Sequence, residues 1–249
     1  MKILVCISNV PDTTTKIKFS DNQTRFDPTG VQWIINPWDE LALTRGVDLK
    51  EDSSNPVSEV IVINVGTSET EPTLRKCLAI GADKAIRIDS EPKDAFFTAQ
   101  QIANYVQKES FEFVVFGIES GDYNGSSVGG MVAEILGIPS VSSVSDIKFN
   151  GSLATIERDV DGGKEYMQVQ GTAVIVVQKG FAKEPRIPNM RGIMMARQKP
   201  LEVLVAIDSE LLTDIIEFTL PEPKAKVKMI DPDNLHELVA LLSKEAKVL

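Results

Sequence analysis

Phe113-Val114-Val115-Phe116-Gly117-Ile118-Glu119-Ser120-Gly121-Asp122-Tyr123-Asn124-Gly125-Ser126-Ser127-Val128 begins as an unbroken apolar run and ends in a polar, glycine-rich loop. An apolar run of this length bounded by Gly117 reads as a strand buried on both faces, the signature of a parallel sheet covered by helices. The loop then enters a helix predicted over residues 126–136, in which Val128, Met131, Val132, Ile135 and Leu136 share one face and Gly137 makes the stop.

Working outward, the same grammar recurs. Residues 2–8 and 59–65 are apolar runs that read as strands, the second closed by Gly66. Residues 85–88 and 141–144 read as shorter strands. Asn36-Pro37-Trp38-Asp39-Glu40 opens a helix, with proline in its first turn and acidic side chains that suit the positive end of the helix dipole. Further helices are expected from about residue 70 to Gly81 and over residues 95–108. Strands alternating with helices imply a mainly parallel, doubly wound α/β sheet. Residues 154–158, 165–169 and 173–178, with a turn at Asp161-Gly162-Gly163, read as an antiparallel hairpin extension of that sheet.

After Gly180 prolines at 185, 188, 200, 221, 223 and 232 break the pattern, leaving a short helix near residues 209–213 and an amphipathic one at about 233–244. The division read here is an α/β domain at 1–180, a loop segment at 181–200 and a long C-terminal arm at 201–249. Such a tail either packs on another protein or wraps back on its own domain.

Composition narrows the function. A formal net charge of −10 lacks the basic excess that tracks a nucleic-acid backbone, so no nucleic-acid partner is expected. Cys6 and Cys77, far apart and without a CxxC, argue against a disulfide framework or a structural zinc site. No apolar run approaches the ~18–20 residues of a membrane span. The first apolar run is also too short for a signal peptide, so the expectation is cytoplasmic, or the mitochondrial matrix if eukaryotic. The single histidine, His236, reads as a surface residue, and no nucleophile system can be built around it.

GxxxxGK[ST] and GxGxxG phosphate loops are both missing. The remaining device is the 117–128 loop, which leaves the carboxyl end of a strand, where open parallel sheets bind ligands. Helix-start amides can hold a phosphate without any cation, and Ser126 and Ser127 add hydroxyls. Gly125, Gly129 and Gly130 would let the backbone approach. The bland reading is a flexible loop with Ser126 as an N-cap. Cys6, residues 36–39 and Val65-Gly66 lie around the same predicted edge, with Trp33 and Trp38 available to stack on a base or to pack in the core.

MKILVCIS at residues 1–8, Asn36-Pro37-Trp38-Asp39-Glu40, TLRKCLAIGAD at 73–83, IERDVDGGKE at 156–165, and Glu184-Pro185-Arg186 ahead of Gly192-Ile193-Met194 together resemble electron-transfer flavoprotein beta subunits, in order and over nearly the whole chain. The resemblance implies a non-enzymatic electron carrier: a heterodimer whose alpha subunit holds most of the redox-active FAD while the beta subunit, a flavodoxin-like, adenine-nucleotide-binding doubly wound sheet, holds a structural AMP. It implies AMP contacts at Cys6, Asn36, Pro37, Trp38, Asp39, Val65, Gly117, Asp122, Asn124, Gly125, Ser126, Ser127 and Val128. It places a dehydrogenase-recognition loop at Arg186 and Met190, and an acidic residue that orients the partner's flavin domain at Asp159. Electrons would pass from flavin dehydrogenases, such as acyl-CoA types, to a quinone oxidoreductase. No direct membrane insertion and no metal are implied.

Two departures stand out. Thr172 replaces a usual proline, and Ser126-Ser127-Val128 stands where AMP binders often have Asn-Gln-Thr and bifurcating members, with a second FAD there, Ala-Gln-Val. AMP is the favoured reading; a bifurcating subunit with its own FAD, a stand-alone nucleotide-binding stress-type protein, and a hydrolase using Glu119 and Asp122 are the alternatives.

Overall fold

A computed structural model describes residues 1–151, 153–224 and 226–249. In chain order the strands and helices are β1 (Lys2–Cys6), β2 (Asn9–Pro11), β3 (Phe19–Ser20), β4 (Arg25–Phe26), β5 (Trp33–Ile35), α1 (Pro37–Glu51), β6 (Glu59–Val65), α2 (Glu71–Ile80), β7 (Lys84–Asp89), α3 (Ala95–Val106), β8 (Phe113–Gly117) and α4 (Val128–Leu136). β9 (Ser140–Asn150), β10 (Leu153–Val160), β11 (Gly163–Gln170), β12 (Ala173–Val177), α5 (Met190–Ala196), β13 (Leu201–Val205) and α6 (Leu235–Lys244) complete them.

One nine-stranded sheet, in the order β11-β10-β9-β12-β8-β1-β6-β7-β13, organises the chain. The central strands are parallel, with β1 paired to β6 on one side and β8 on the other. The expected alternation of side chains is realised on both faces. Ile3 and Val5 of β1 point into a core shared with Leu43 and Val47 of α1 and Leu74 and Leu78 of α2. Leu4 and Cys6 point into the opposite core, shared with Phe97 and Ile102 of α3 and Val132 of α4. Each such large apolar side chain, fully enclosed, contributes about 1.5–3 kcal/mol, so the doubly wound arrangement follows from strands that are apolar on both sides.

The antiparallel extension is present in β9, β10 and β11, and Gly162 at φ 85° makes its tight turn. β12 corrects the hairpin reading. It runs parallel to both β8 and β9 and is inserted between them, not appended to the hairpin. Its Ala173-Val174-Ile175-Val176-Val177 is buried at every position, which is what a central strand between two helical layers requires. β9 is also longer than the 141–144 expected, continuing to Asn150 to pair with β10.

Beyond Gly180 two elements were not foreseen and one foreseen element is missing. α5 and β13 form, whereas residues 209–213 carry no helix. β13 pairs in parallel with β7, so residues 201–205 lie within the sheet and the extended arm runs from 206. Lone short elements at an edge have weak periodicity, and both owe their form to neighbours already in place. The helix expected at 209–213 lost to backbone donors being taken elsewhere: Leu212 and Thr213 donate their N–H groups to Asp94 Oδ2 at 2.7 and 3.0 Å.

Asp94 serves twice. Its Oδ1 accepts the Phe97 N–H at 2.6 Å as the N-cap of α3, while Oδ2 pins the arm. Gln101 exchanges two hydrogen bonds with Ile207, and Phe218 stacks on Phe19 at 5.0 Å. The arm therefore follows its own domain as far as Phe218. Past that point α6 buries none of its residues, and Leu235, Leu238 and Val239 are exposed. Asp94→Ala is expected to lose the cap, about 0.5–2 kcal/mol, and to free residues 207–218. Limited proteolysis should then cut the arm several-fold faster, while unchanged cutting would mean that Asp94 does not hold it.

Candidate ligand site at the carboxyl rim

The strand order reverses between β1 and β8: the chain moves from β1 through β6 to β7 on one side, then crosses to β8 on the other. Such a reversal opens a crevice at the carboxyl ends of the strands. Cys6 ends β1, Val65 ends β6, Gly117 ends β8, and residues 36–39 begin α1 beside them. Every residue of the expected nucleotide site thus lies on elements that meet this rim.

Asn36 and Asp39 build the frame. Both are buried, Asn36 completely. Asn36 donates Nδ2–H to Glu119 O at 2.8 Å, and its Oδ1 accepts the Gly121 N–H at 3.2 Å. Asp39 accepts the Ser8 N–H on Oδ2 at 2.7 Å and the Gly117 N–H on Oδ1 at 2.9 Å. Two side chains one helical turn apart therefore clasp Ser8 just beyond β1, the end of β8 and the first part of the loop. Gly117 lets α1 come this close, because a Cβ there would lie 2.5 Å from Trp38 Cβ.

Burial pushes the Asp39 carboxyl up to about 7, against the lowering pull of its hydrogen bonds from Ser8, Asn36 and Gly117. The folded state then binds this proton more tightly than the unfolded chain does. Asp39's contribution to stability is complete below about pH 4 and lost as pH rises through about 7. In denaturant melts, wild type is expected to lose stability relative to Asp39→Asn between pH 4 and pH 8, by about 2–4 kcal/mol at 1.36 kcal/mol per pKa unit. A difference independent of pH would remove the buried-carboxylate reading.

The loop beyond the clasp is open. Residues 121–126 are exposed, Asn124 and Ser126 sit at positive φ (50° and 48°), and Asp122 accepts the Tyr123 N–H at 2.9 Å. Ser126 is therefore outside the helix, which starts two residues later than expected at Val128. Ser127 occupies the N-cap position but its hydroxyl makes no capping bond. The first-turn amides of α4 thus lack the side-chain partner that usually satisfies them. Among the glycines, Gly129 corrects the expectation of ligand approach: a Cβ there would lie 2.8 Å from Val176 Cγ2, so its task is close packing of α4 on the sheet. Gly130 has open space around it. The most enclosed positions of α4 are Gly129, Val132 and Ala133, with Val128, Met131, Ile135 and Leu136 packed at the margin.

Three rim residues escaped the sequence reading. Ser8 supplies a backbone donor to Asp39. Asn64, also buried, donates Nδ2–H to Ile7 O at 2.8 Å and ties the ends of β1 and β6 together, its Oδ1 enclosed without a protein partner. Arg87 is buried and donates to Gly66 O at 3.0 Å while paired with Glu71 and Asp89. A polar or charged residue at a core-facing strand position is the signal that marks both Asn64 and Arg87. Trp33 lies edge-on to Phe26 with ring centres 6.1 Å apart, which places it in local packing. Cys6 and Cys77 are buried free thiols, their pKa values raised by burial. His236 is exposed, and no metal-binding group of three acidic, His or Cys side chains occurs among the described residues. Nor, among them, is any helix long and apolar enough to cross a membrane.

The docking candidates belong to other elements than the rim residues. Arg186 pairs with Asp48 at 3.0 Å and with Glu51, and its N–H reaches Thr44 Oγ1 at 3.1 Å, so its charge is engaged within the chain. Met190 opens α5 and is 75% exposed. Asp159, on β10, accepts from Gln178 Nε2 and lies 3.9 Å from Lys164.

Fold and rim together define an open, doubly wound α/β protein with a crevice at the carboxyl ends of its central strands. An electron transfer flavoprotein domain model matches residues 24–209. Electron transfer flavoprotein subunit beta of Syntrophomonas wolfei is 34% identical over 226 residues, covering 90% of this chain and 88% of that protein. Its counterpart in Bacillus subtilis is 33% identical with both chains fully covered, and the human one 28% identical over 100% of this chain and 99% of its own. The chain belongs to the electron transfer flavoprotein family, among its beta subunits.

Proposed function

We propose that this chain holds AMP at the carboxyl rim and, joined to a flavin-carrying alpha subunit, forms an electron carrier. The observation that carries this reading is the Asn36–Asp39 clasp, which fixes residues 117–121 at the start of the loop, together with the uncapped start of α4. Backbone amides and the free Ser127 hydroxyl would receive the phosphate, with no cation needed. The base would lie against the ends of β1 and β6, at Cys6 and Val65. These residues fit a terminal phosphate: open donors meet it and the frame that presents them is rigid.

No group on this chain makes or breaks bonds. When bound, FAD supplies the redox chemistry, and the chain's part is to shape the surface against which the alpha subunit and its flavin assemble. The uncovered apolar side chains of α6 and the outer arm suit that interface, and Asp159 beside the turn of the β10–β11 hairpin suits the flavin domain. Met190 would anchor a flavin dehydrogenase such as an acyl-CoA type, and a thioether adapts well to more than one partner. Arg186 would hold that loop on α1. A quinone oxidoreductase would take the electrons onward, and a soluble compartment, cytoplasmic or mitochondrial, follows from that chemistry.

Denaturing the purified heterodimer and weighing the released ligands tests the site: AMP plus one FAD is expected. Two FAD molecules would select the bifurcating reading, which Val128 favours, and no nucleotide besides the flavin would end the proposal. Met190→Ala should slow reduction by dehydrogenases about tenfold, the loss of a buried hot-spot contact of ~1.4 kcal/mol, with FAD content unchanged. Equal rates would remove the docking role.

A further inference from the structure

α5 has only seven residues, too few to persist as a helix on its own. Its N-terminus is capped from within, Asn189 Oδ1 accepting the Gly192 N–H at 2.8 Å. Its other end is capped from α2: Arg75 Nη1 donates to Ala196 O and to Lys199 O, both at 2.8 Å. The exchange is reciprocal. Lys199, just past α5, donates from Nζ to Leu78 O at 3.0 Å and Ala82 O at 2.6 Å, covering the carbonyls at the end of α2. Between the two caps the backbones touch, since a Cβ on Gly192 would lie 2.5 Å from Ala79 O. The outward side of the helix presents Met190 at 75% and Met194 at 67% exposure.

We infer that Arg75 and Lys199 are positioning residues, which set the pose in which the Met190 helix meets a reducing flavoprotein. This rests on the docking role proposed above for Met190. Four hydrogen bonds to carbonyls, which carry no side-chain freedom of their own, fix both the tilt of α5 and its distance from α2. A helix so short has little rigidity of its own, and an anchor held loosely pays for ordering at each encounter.

The test uses the purified heterodimer as electron acceptor for an acyl-CoA dehydrogenase, reduced with butyryl-CoA and first shown to reduce the wild type. Arg75→Met is expected to raise the KM for the heterodimer at least fivefold, with kcat, FAD content and melting temperature held within error, and Arg75→Lys to restore most of the loss. Gly192→Ala, which forces the two backbones apart while leaving the Arg75 and Lys199 side chains unaltered, should raise KM similarly and guards against poor folding of the first variant. In a Met190→Ala background Arg75→Met should add nothing, because the anchor it aims is gone. An unchanged KM in Arg75→Met and Gly192→Ala, with Met190→Ala impaired, overturns the positioning role alone. So does an undiminished Arg75→Met effect in the Met190→Ala background. If Met190→Ala itself is silent, the docking reading fails and takes this inference with it.

Discussion

Gly117→Ala should lower the stability of the chain by about 3 kcal/mol or more. The new Cβ would overlap Asp39 Oδ1 and lie 2.5 Å from Trp38 Cβ and 2.9 Å from Asp39 N. These are atoms of a helix start and a rigid carboxylate, not the free tip of a long side chain, so α1 must retreat from β8. Overpacking of this kind costs about 1–3 kcal/mol. Retreat also breaks the 2.9 Å bond from Gly117 N to Asp39 and leaves a buried donor unmet, about 1–3 kcal/mol more. A melting temperature lower by roughly 6–12 °C follows at about 2–4 °C per kcal/mol for a chain of this size. Gly121→Ala is the control: its Cβ would meet only Asn36 Oδ1, at 3.7 Å, and φ is not positive, so its melting point should stay within about 3 °C of wild type. Two variants melting together would show that the approach of α1 to β8 is not what limits the fold.

Ser127→Asp should empty the ligand site while leaving the fold intact or slightly firmer. The two effects have opposite signs for a physical reason. Aspartate is a better N-cap than a serine whose hydroxyl makes no cap, so the ligand-free chain gains a few tenths to 1 kcal/mol. The same carboxylate stands where a phosphate dianion would accept the helix-start amides. Repulsion of about 4 kcal/mol per charge at ~4 Å and an effective dielectric of ~20 corresponds to a loss of affinity of about 10³-fold or more. Mass analysis of the purified heterodimer should then find FAD but no AMP, whereas Ser127→Ala should retain both. Nucleotide still bound to Ser127→Asp would move the phosphate away from the start of α4.

The centre of the sheet was legible because its strands carry one unmixed signal. In residues 59–65 and 113–117 nearly every side chain is apolar, and only a strand covered on both faces accommodates that. The helices between were equally readable where a stop such as Gly81, at φ 148°, coincides with the end of the apolar stripe. β12 has the same unmixed signal and was nevertheless given the wrong direction, since it follows a true hairpin in the chain. Burial at all five positions was the better guide than sequence neighbourhood. α5 and β13 were hidden because what makes them regular lies elsewhere: Arg75 for the helix, the open edge of β7 for the strand.

The rim was legible as a set of residues but not as a device. Asn36 and Asp39 were singled out with their neighbours, yet nothing in their spacing shows that one would grip Glu119 and Gly121 and the other Ser8 and Gly117. Asn64 and Arg87 went unnoticed because a single polar residue hardly alters the pattern of the strand around it. Gly129 misled for the opposite reason, since a glycine that admits a ligand and one that admits a neighbouring strand look the same in sequence.

Leu220, Val227, Met229, Leu235, Val239 and Leu249 all face water, strung along a tail that leaves its own domain after Phe218. Hydrocarbon laid out in this way drives self-association as concentration rises. A cell making this polypeptide in excess of whatever sheathes the tail would therefore accumulate clumps rather than spare carrier. If the alpha subunit proposed above is that sheath, the two polypeptides would need to be made in step to stay dispersed.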